Sequence, residues 1–322
     1  VSAKFRVLIT DRAWPDCEVE RKELALVDAE VIEAPPGADE QKLIEKATGV
    51  DAIATCWAPV TQAVIAAAPD CKTIARLGIG LDNIDVKYAT SQKIPVTNVP
   101  DYCIPEVADH AMALMLASLR NVAFFHHQTK QGIYDLSAAP LPRRVSSLTL
   151  GVFGFGLTGQ AVAERARAFG MDVLATNSSG NDYGTGTTMV PFEELIQKSD
   201  VISIHAPLTE ETQHQFDQSA FAQMKSTALI INTSRGGLID FAALKSAIQN
   251  QDIAGAALDV FDPEPPDLSD PFFQHERVIA TPHAAFISKE SLDELRQQAA
   301  RQVADVLVGR ETTNVVNPSV FE

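Results

Sequence analysis

Cysteine is scarce in this 322-residue chain, and the four present, Cys17, Cys56, Cys71 and Cys103, stand far apart with no C-x-x-C pair. That scatter argues against a disulfide framework or a zinc site and suits a reducing cytoplasm, which is the expected location. Basic residues are also few: 26 Lys and Arg against 42 Asp and Glu leave a formal charge of −16. Such a balance disfavours nucleic acid and anionic membrane as partners, while leaving room for a small anionic substrate where a few cations converge. No apolar run is long enough to span a bilayer, and Ser2-Ala3-Lys4 leads straight into the strand-like Phe5–Ile9 rather than into a signal peptide. No metal ligand set is expected either, because the adjacent His126 and His127 point different ways on a helix.

The composition that remains is globular, 46% hydrophobic, and the length fits two domains. The sharpest local feature is Gly154-Phe155-Gly156-Leu157-Thr158-Gly159, placed after the apolar run 148–153 and before an amphipathic segment from Leu157 to Phe169. A strand, G-x-G-x-x-G and then a helix is the dinucleotide-binding fingerprint. Its glycines permit a tight turn, close approach of a pyrophosphate and close helix–strand packing. The helix N-terminus adds unpaired N–H groups and a partial positive charge.

Short strand candidates alternate with helical spacing almost throughout. Strands are expected at 6–9, 52–54, 73–77, 95–98, 148–153, 172–176, 201–205, 228–232, 254–258 and 278–280. Helical patterns occupy 40–48, 61–68, 192–199 and 241–249. This alternation implies α/β architecture with two doubly wound parallel-sheet domains, since one sheet of so many strands would be unusual. The fingerprint opens a new sheet, so the boundary is expected near Val99-Pro100-Asp101. Residues 1–101 with 289–322 then form a smaller substrate domain, and 102–288 a Rossmann-type cofactor domain. Glu106 to about Gln131 reads as one long helix, apolar over more than one face, through which a homodimer is expected to form. The loop 178–188, rich in Gly, Ser, Asn and Thr, reads as the most flexible interior stretch.

Three further segments each follow an expected strand: Asn232–Asp240, Ala257–Pro265 and Thr281–Ala285. In a doubly wound sheet all three lie along the carboxyl edge, where ligands bind. They carry Arg235, Glu264 and His283. An arginine can grip a carboxylate with two parallel hydrogen bonds. A histidine beside a carboxylate can exchange a proton near neutral pH.

With these segments the chain resembles the D-isomer-specific 2-hydroxyacid dehydrogenases over nearly its whole length. The resemblance also rests on Arg76–Asp85, Asn98-Val99-Pro100, Glu106–His110 and His205–Thr209. It implies a flavodoxin-like fold for the substrate domain and interconversion of a 2-oxo acid and its D-2-hydroxy acid with NAD(H) or NADP(H). It implies that Arg235 binds the substrate carboxylate, that His283 gives or takes a proton and also lines the cofactor, and that Glu264 supports His283. Cofactor contacts are implied for Gly154, Phe155, Gly156, Leu157, Thr158, Asn177, Ser178, His205, Ala206, Pro207, Thr212, Thr233 and Ser234, with Asp259 at the nicotinamide amide. Backbone N–H groups around Leu77 and Gly78 are implied as carboxylate donors, and Thr55 and Trp57 as further substrate contacts. Some relatives act as nucleotide-sensing corepressors that keep the same trio, which is the alternative reading.

The chain departs from the family pattern in two places. NAD-specific members end the second strand of the cofactor domain with an acidic residue, where this chain has Asn177, then Ser178 and Ser179. No Lys or Arg follows until Lys198, yet the missing repulsion of a 2′-phosphate tilts the expectation toward NADP(H). Phosphoglycerate-oxidising relatives place an arginine where Thr55 stands, which leaves Arg76 as the cation for a distal phosphate and makes smaller 2-oxo acids the expected substrates.

Overall fold

Apolar runs of four or five residues, closed by glycine, proline or acidic turns, become parallel strands in both halves of the chain. The computed structural model describes residues 3–322 and divides into two units, one running to Tyr102 and joined by Ser288–Glu322, the other Cys103–Ile287. The first unit holds β1 (Phe5–Ile9), β2 (Ala29–Glu33), β3 (Ala52–Thr55), β4 (Thr73–Arg76) and β5 (Val96–Thr97), in the order β2-β1-β3-β4-β5. All neighbours are parallel, and β3 and β4 are buried on both faces, as a sheet covered by helices requires. This is the flavodoxin-like order, whose direction reverses between β1 and β3.

The second unit holds β6 (Thr149–Phe153), β7 (Asp172–Thr176), β8 (Thr188–Met189), β9 (Val201–Ile204), β10 (Leu229–Asn232), β11 (Gly255–Leu258) and β12 (Val278–Ala280). Their order, β12-β11-β10-β9-β6-β7-β8, is the doubly wound dinucleotide arrangement with one strand added beyond β11. The switch point falls between β6 and β9, so the turn after β6 faces the ligand-binding edge. Both sheets match the α/β expectation. The helix Ile104–Leu119 packs on the helix Leu157–Ala168 through Ala108, Ala111, Ala163 and Ala166, small side chains that let two backbones approach closely.

The expected long helix 106–131 is two helices, Ile104–Leu119 and Val122–Lys130. Asn121 between them sits at φ 53°, a left-handed conformation that asparagine tolerates and that stops helical hydrogen bonding. Two strands escaped the sequence reading: β2, whose Ala-Glu-Val-Ile-Glu has only three apolar residues, and the two-residue β8. The segment 178–188 is knit internally, with Asp182 accepting from Gly184 N at 3.1 Å and Gly186 N at 3.0 Å. In the first unit the last long helix, Lys289–Leu307, is capped by Ser288 and returns against Glu18–Ala25. There Arg296 makes two 2.8 Å bonds to the buried Glu20 carboxylate and lies 5.3 Å over the Trp14 ring.

Candidate active site

The turn that leaves β6 has a different reason for each glycine. Gly154 adopts φ 94°, and a Cβ there would lie 2.2 Å from Ala206 N; at Gly159 it would lie 2.2 Å from Gly154 O. Both positions are filled by the protein's own backbone. At Gly156 a Cβ would meet nothing within 4 Å, and Gly156 caps the helix Leu157–Ala168 without any side-chain bond. The N-terminus of a twelve-residue helix is thus uncapped by any side chain, with open space beside Gly156, as an anionic pyrophosphate requires. A second sign is Thr233, just past β10, buried to 8% exposure with no hydrogen-bond partner for Oγ1. These residues fit a bound dinucleotide.

His205 and Ala206 follow β9 beside that turn, with His205 N donating to Phe153 O at 2.6 Å. Pro207 is exposed, and its carbonyl accepts from Thr212 Oγ1 at 2.7 Å. Ser234 Oγ donates to Ala206 O at 2.6 Å, which joins the loops after β9 and β10. Burial pushes His205 down to about 4 from its ordinary 6.5, and its Nε2 lies 2.8 Å from Ser203 Oγ. A histidine depressed in this way is matched by the unfolded chain only above pH 6.5. The contribution is thus complete above pH 6.5 and lost as pH falls toward 4, on the order of 3 kcal/mol. Thermal melts across that window should show the loss, and His205→Gln should flatten it.

Arg235 begins the loop after β10. Asn232 shapes this loop, its Nδ2 donating to Arg235 O at 2.8 Å and its Oδ1 accepting from Ser234 N at 3.0 Å. A Cβ on Gly236 would sit 2.0 Å from the Phe261 carbonyl carbon, so glycine alone allows the arginine loop to lie on the Phe261–Asp262 backbone. Three residues on, Glu264 accepts from Phe261 N at 2.8 Å through Oε1 and meets His283 Nδ1 at 2.7 Å through Oε2. Burial opposes the charge on Glu264, but the His283 hydrogen bond and charge, the Phe261 amide and the Arg235 guanidinium outweigh it. The carboxyl is held below its usual range. The fold therefore gathers Arg235, Glu264 and His283 at one sheet edge. Asp259, expected at the nicotinamide amide, is fully buried and bonded to the His283 loop, accepting from Ala284 N at 2.8 Å and Ala285 N at 2.9 Å.

At the cofactor-specificity position, Asn177 Nδ2 donates to Asn181 O at 2.9 Å and its Oδ1 accepts from Ser179 Oγ at 3.2 Å. Ser178, Ser179 and Gly180 of that turn are exposed.

In the first unit the substrate expectations need three corrections. Leu77 N donates to Thr55 O at 2.7 Å, so its N–H is spent within the sheet. Thr55 is fully buried, its Oγ1 donating to Ala58 O at 2.8 Å, so it offers a ligand nothing, whereas Trp57 and Pro59 of that loop reach the surface. Arg76 is engaged by backbone carbonyls, bonded to Gly80 O at 2.8 Å and to Leu77 O, and only 7% exposed, which leaves little of it to meet a distal phosphate. The sequence reading missed Asp11. It stands past β1 at the switch point and accepts from Cys56 N at 2.9 Å and Trp57 N at 2.7 Å, fixing the turn that presents the indole. A carboxylate two residues beyond the first strand was the available signal.

Residues 112–285 match the family described as D-isomer specific 2-hydroxyacid dehydrogenase, NAD binding domain. A glyoxylate reductase of Korarchaeum cryptofilum is 38% identical over 297 residues, 90% of this chain and 89% of that enzyme. A D-3-phosphoglycerate dehydrogenase of Methanocaldococcus jannaschii is 36% identical over 97% of this chain, which spans 59% of that protein. Among solved structures, an acyclic imino acid reductase in complex with NADPH and D-Arg has a TM-score of 0.87 at 28% identity, covering 97% of this chain and 99% of that one.

Proposed function

Because the chain belongs to the D-isomer specific 2-hydroxyacid dehydrogenase family, we propose that Arg235, Glu264 and His283 are the working side chains of its nicotinamide-dependent interconversion of a small 2-oxo acid and the D-2-hydroxy acid. The observation that carries this reading is the 2.7 Å pairing of His283 with Glu264 on a loop held against Arg235. When bound, the nicotinamide supplies or takes up the hydride; the side chains bind, orient and move a proton. Arg235 grips the carboxylate of the substrate and polarises its C2 oxygen. Glu264 takes Nδ1–H of the imidazole and leaves Nε2 as the atom that gives a proton to that oxygen or removes it. The dependence is reciprocal: His283 lowers Glu264, so ionised Glu264 favours the protonated imidazole. In Glu264→Gln that support is gone, and the pH profile of reduction should move to lower pH with a reduced maximum. An unmoved profile would mean that the two side chains act separately.

The cofactor proposed is NADP(H), used at least as well as NAD(H). Asn177 and Ser178 place no carboxylate against a 2′-phosphate, and both can donate hydrogen bonds to it. Comparing kcat/KM for NADPH and NADH tests this, and a tenfold advantage for NADH would reject it. Asn177→Asp should turn the preference toward NADH. With Arg76 committed to carbonyls, small unphosphorylated acids such as glyoxylate or hydroxypyruvate are the proposed substrates, the named activity of the archaeal glyoxylate reductase among them. A homodimer through the helices Ile104–Leu119 and Val122–Lys130 completes the proposal: Val122, Tyr134, Leu136 and Leu141 lie exposed on and after the second helix. A cytoplasmic setting fits the four buried cysteines, none of which is in a disulfide.

A further inference from the structure

His283 sits at φ 52°, a left-handed conformation uncommon for a residue with a side chain. Something must hold it there, and the structure shows what does. Asp259, fully buried just past β11, accepts from His283 N through its carbonyl at 2.8 Å. Its carboxylate accepts from Ala284 N and Ala285 N on the same loop. Thr281 Oγ1 also lies 2.5 Å from Asp259 Oδ1. A carboxylate has no proton to offer, so the hydroxyl donates to it and can only accept from its other neighbour. That neighbour is His110, whose Nε2 is 3.0 Å from Thr281 Oγ1 and 3.5 Å from Asp259 Oδ1. The direction of the chain is therefore fixed: His110 Nε2–H to Thr281 Oγ1–H to Asp259.

We propose that His110 is a positioning residue, which through Thr281 orients the Asp259 carboxylate and so holds the His283 loop in its left-handed turn. It rests on the reading of His283 as the proton-exchanging group, and it extends that reading to the helix Ile104–Leu119. That helix is rooted in the unit's core by Ala111, Leu114 and Met115, so the imidazole is presented from a rigid element. Thr281 is 171 positions from His110 in the sequence, so it is the fold that brings the two together. Asp259 needs its donors: a fully buried carboxylate that loses one of them is costly to keep.

The test uses the full chain with ring-labelled histidines and follows the His283 resonance by NMR, assigned through its disappearance in His283→Asn. Thr281→Val, nearly isosteric, and His110→Leu should both move the His283 titration midpoint by about half a pH unit or more. In the same variants kcat should fall roughly ten- to a hundredfold, with KM for the 2-oxo acid changed less than about threefold, the signature of misplaced rather than missing chemistry. His110→Gln, which keeps a side-chain N–H, should recover kcat to within about threefold of the wild type. An unchanged His283 titration in Thr281→Val would overturn the proposal, whether or not His110→Leu folds. So would a His110→Gln protein no better than His110→Leu. Should the wild-type chain reduce no 2-oxo acid, the functional reading fails, while the NMR titration still decides the coupling on its own.

Discussion

Arg235→Lys is expected to lower kcat/KM for 2-oxo acids by roughly a hundred- to a thousandfold, although the charge is kept. A bidentate guanidinium–carboxylate pair has two parallel, charge-assisted bonds, each worth about 1.5–3 kcal/mol, and an ammonium cannot reproduce the planar fork. The structure sharpens this expectation. Arg235 Nη1 donates to Ser234 O at 2.8 Å, and Asn232 holds the surrounding loop, so the guanidinium is presented in a fixed orientation. A lysine would have neither the anchor nor the geometry. Steady-state kinetics with a saturating reduced cofactor measures the effect, and cofactor affinity should stay within about threefold of the wild type. A lysine variant retaining a fifth of the wild-type kcat/KM would remove Arg235 from the carboxylate site.

The second expectation concerns stability. Glu20→Ala should destabilise the first unit by about 3 kcal/mol, because it takes from the Arg296 guanidinium its buried partner and leaves it only the exposed Asp16 carboxylate at 3.0 Å. The pair ties two helices from opposite ends of the chain, with Arg296 7% and Glu20 2% exposed. Replacing both members together, Glu20→Leu with Arg296→Met, should recover most of the loss, since two apolar side chains desolvate without charge. Urea unfolding of the two variants beside the wild type measures this. A loss below about 1 kcal/mol in Glu20→Ala would show that water still reaches the pair.

The architecture was readable because buried parallel strands are short, continuous apolar runs with turn residues at both ends. β7 and β12 carry that signal with the bounds expected, whereas the alternating β2 and the brief β8 do not. The break at Asn121 was hidden because helical spacing continues on both sides of it. One residue's φ ends the helix, and periodicity averages over such a residue. Among the site residues, motifs could name Arg235, Glu264 and His283 but not say which groups hold them. Asp11, Thr281 and His110 act through partners 22 to 171 positions away, a relation that composition and spacing do not encode. Leu77 shows the reverse: its motif was plain, yet its amide belongs to the ladder between β3 and β4.

Oxidation of NADPH and NADH with a panel of 2-oxo acids, run on the wild type and on His283→Asn with the chirality of the product determined, is the most direct trial of this account. The wild type should yield the D-2-hydroxy acid from a small unphosphorylated substrate, and His283→Asn should lose at least about a hundredfold in kcat. Formation of the L isomer, or an asparagine variant as fast as the wild type, would contradict it.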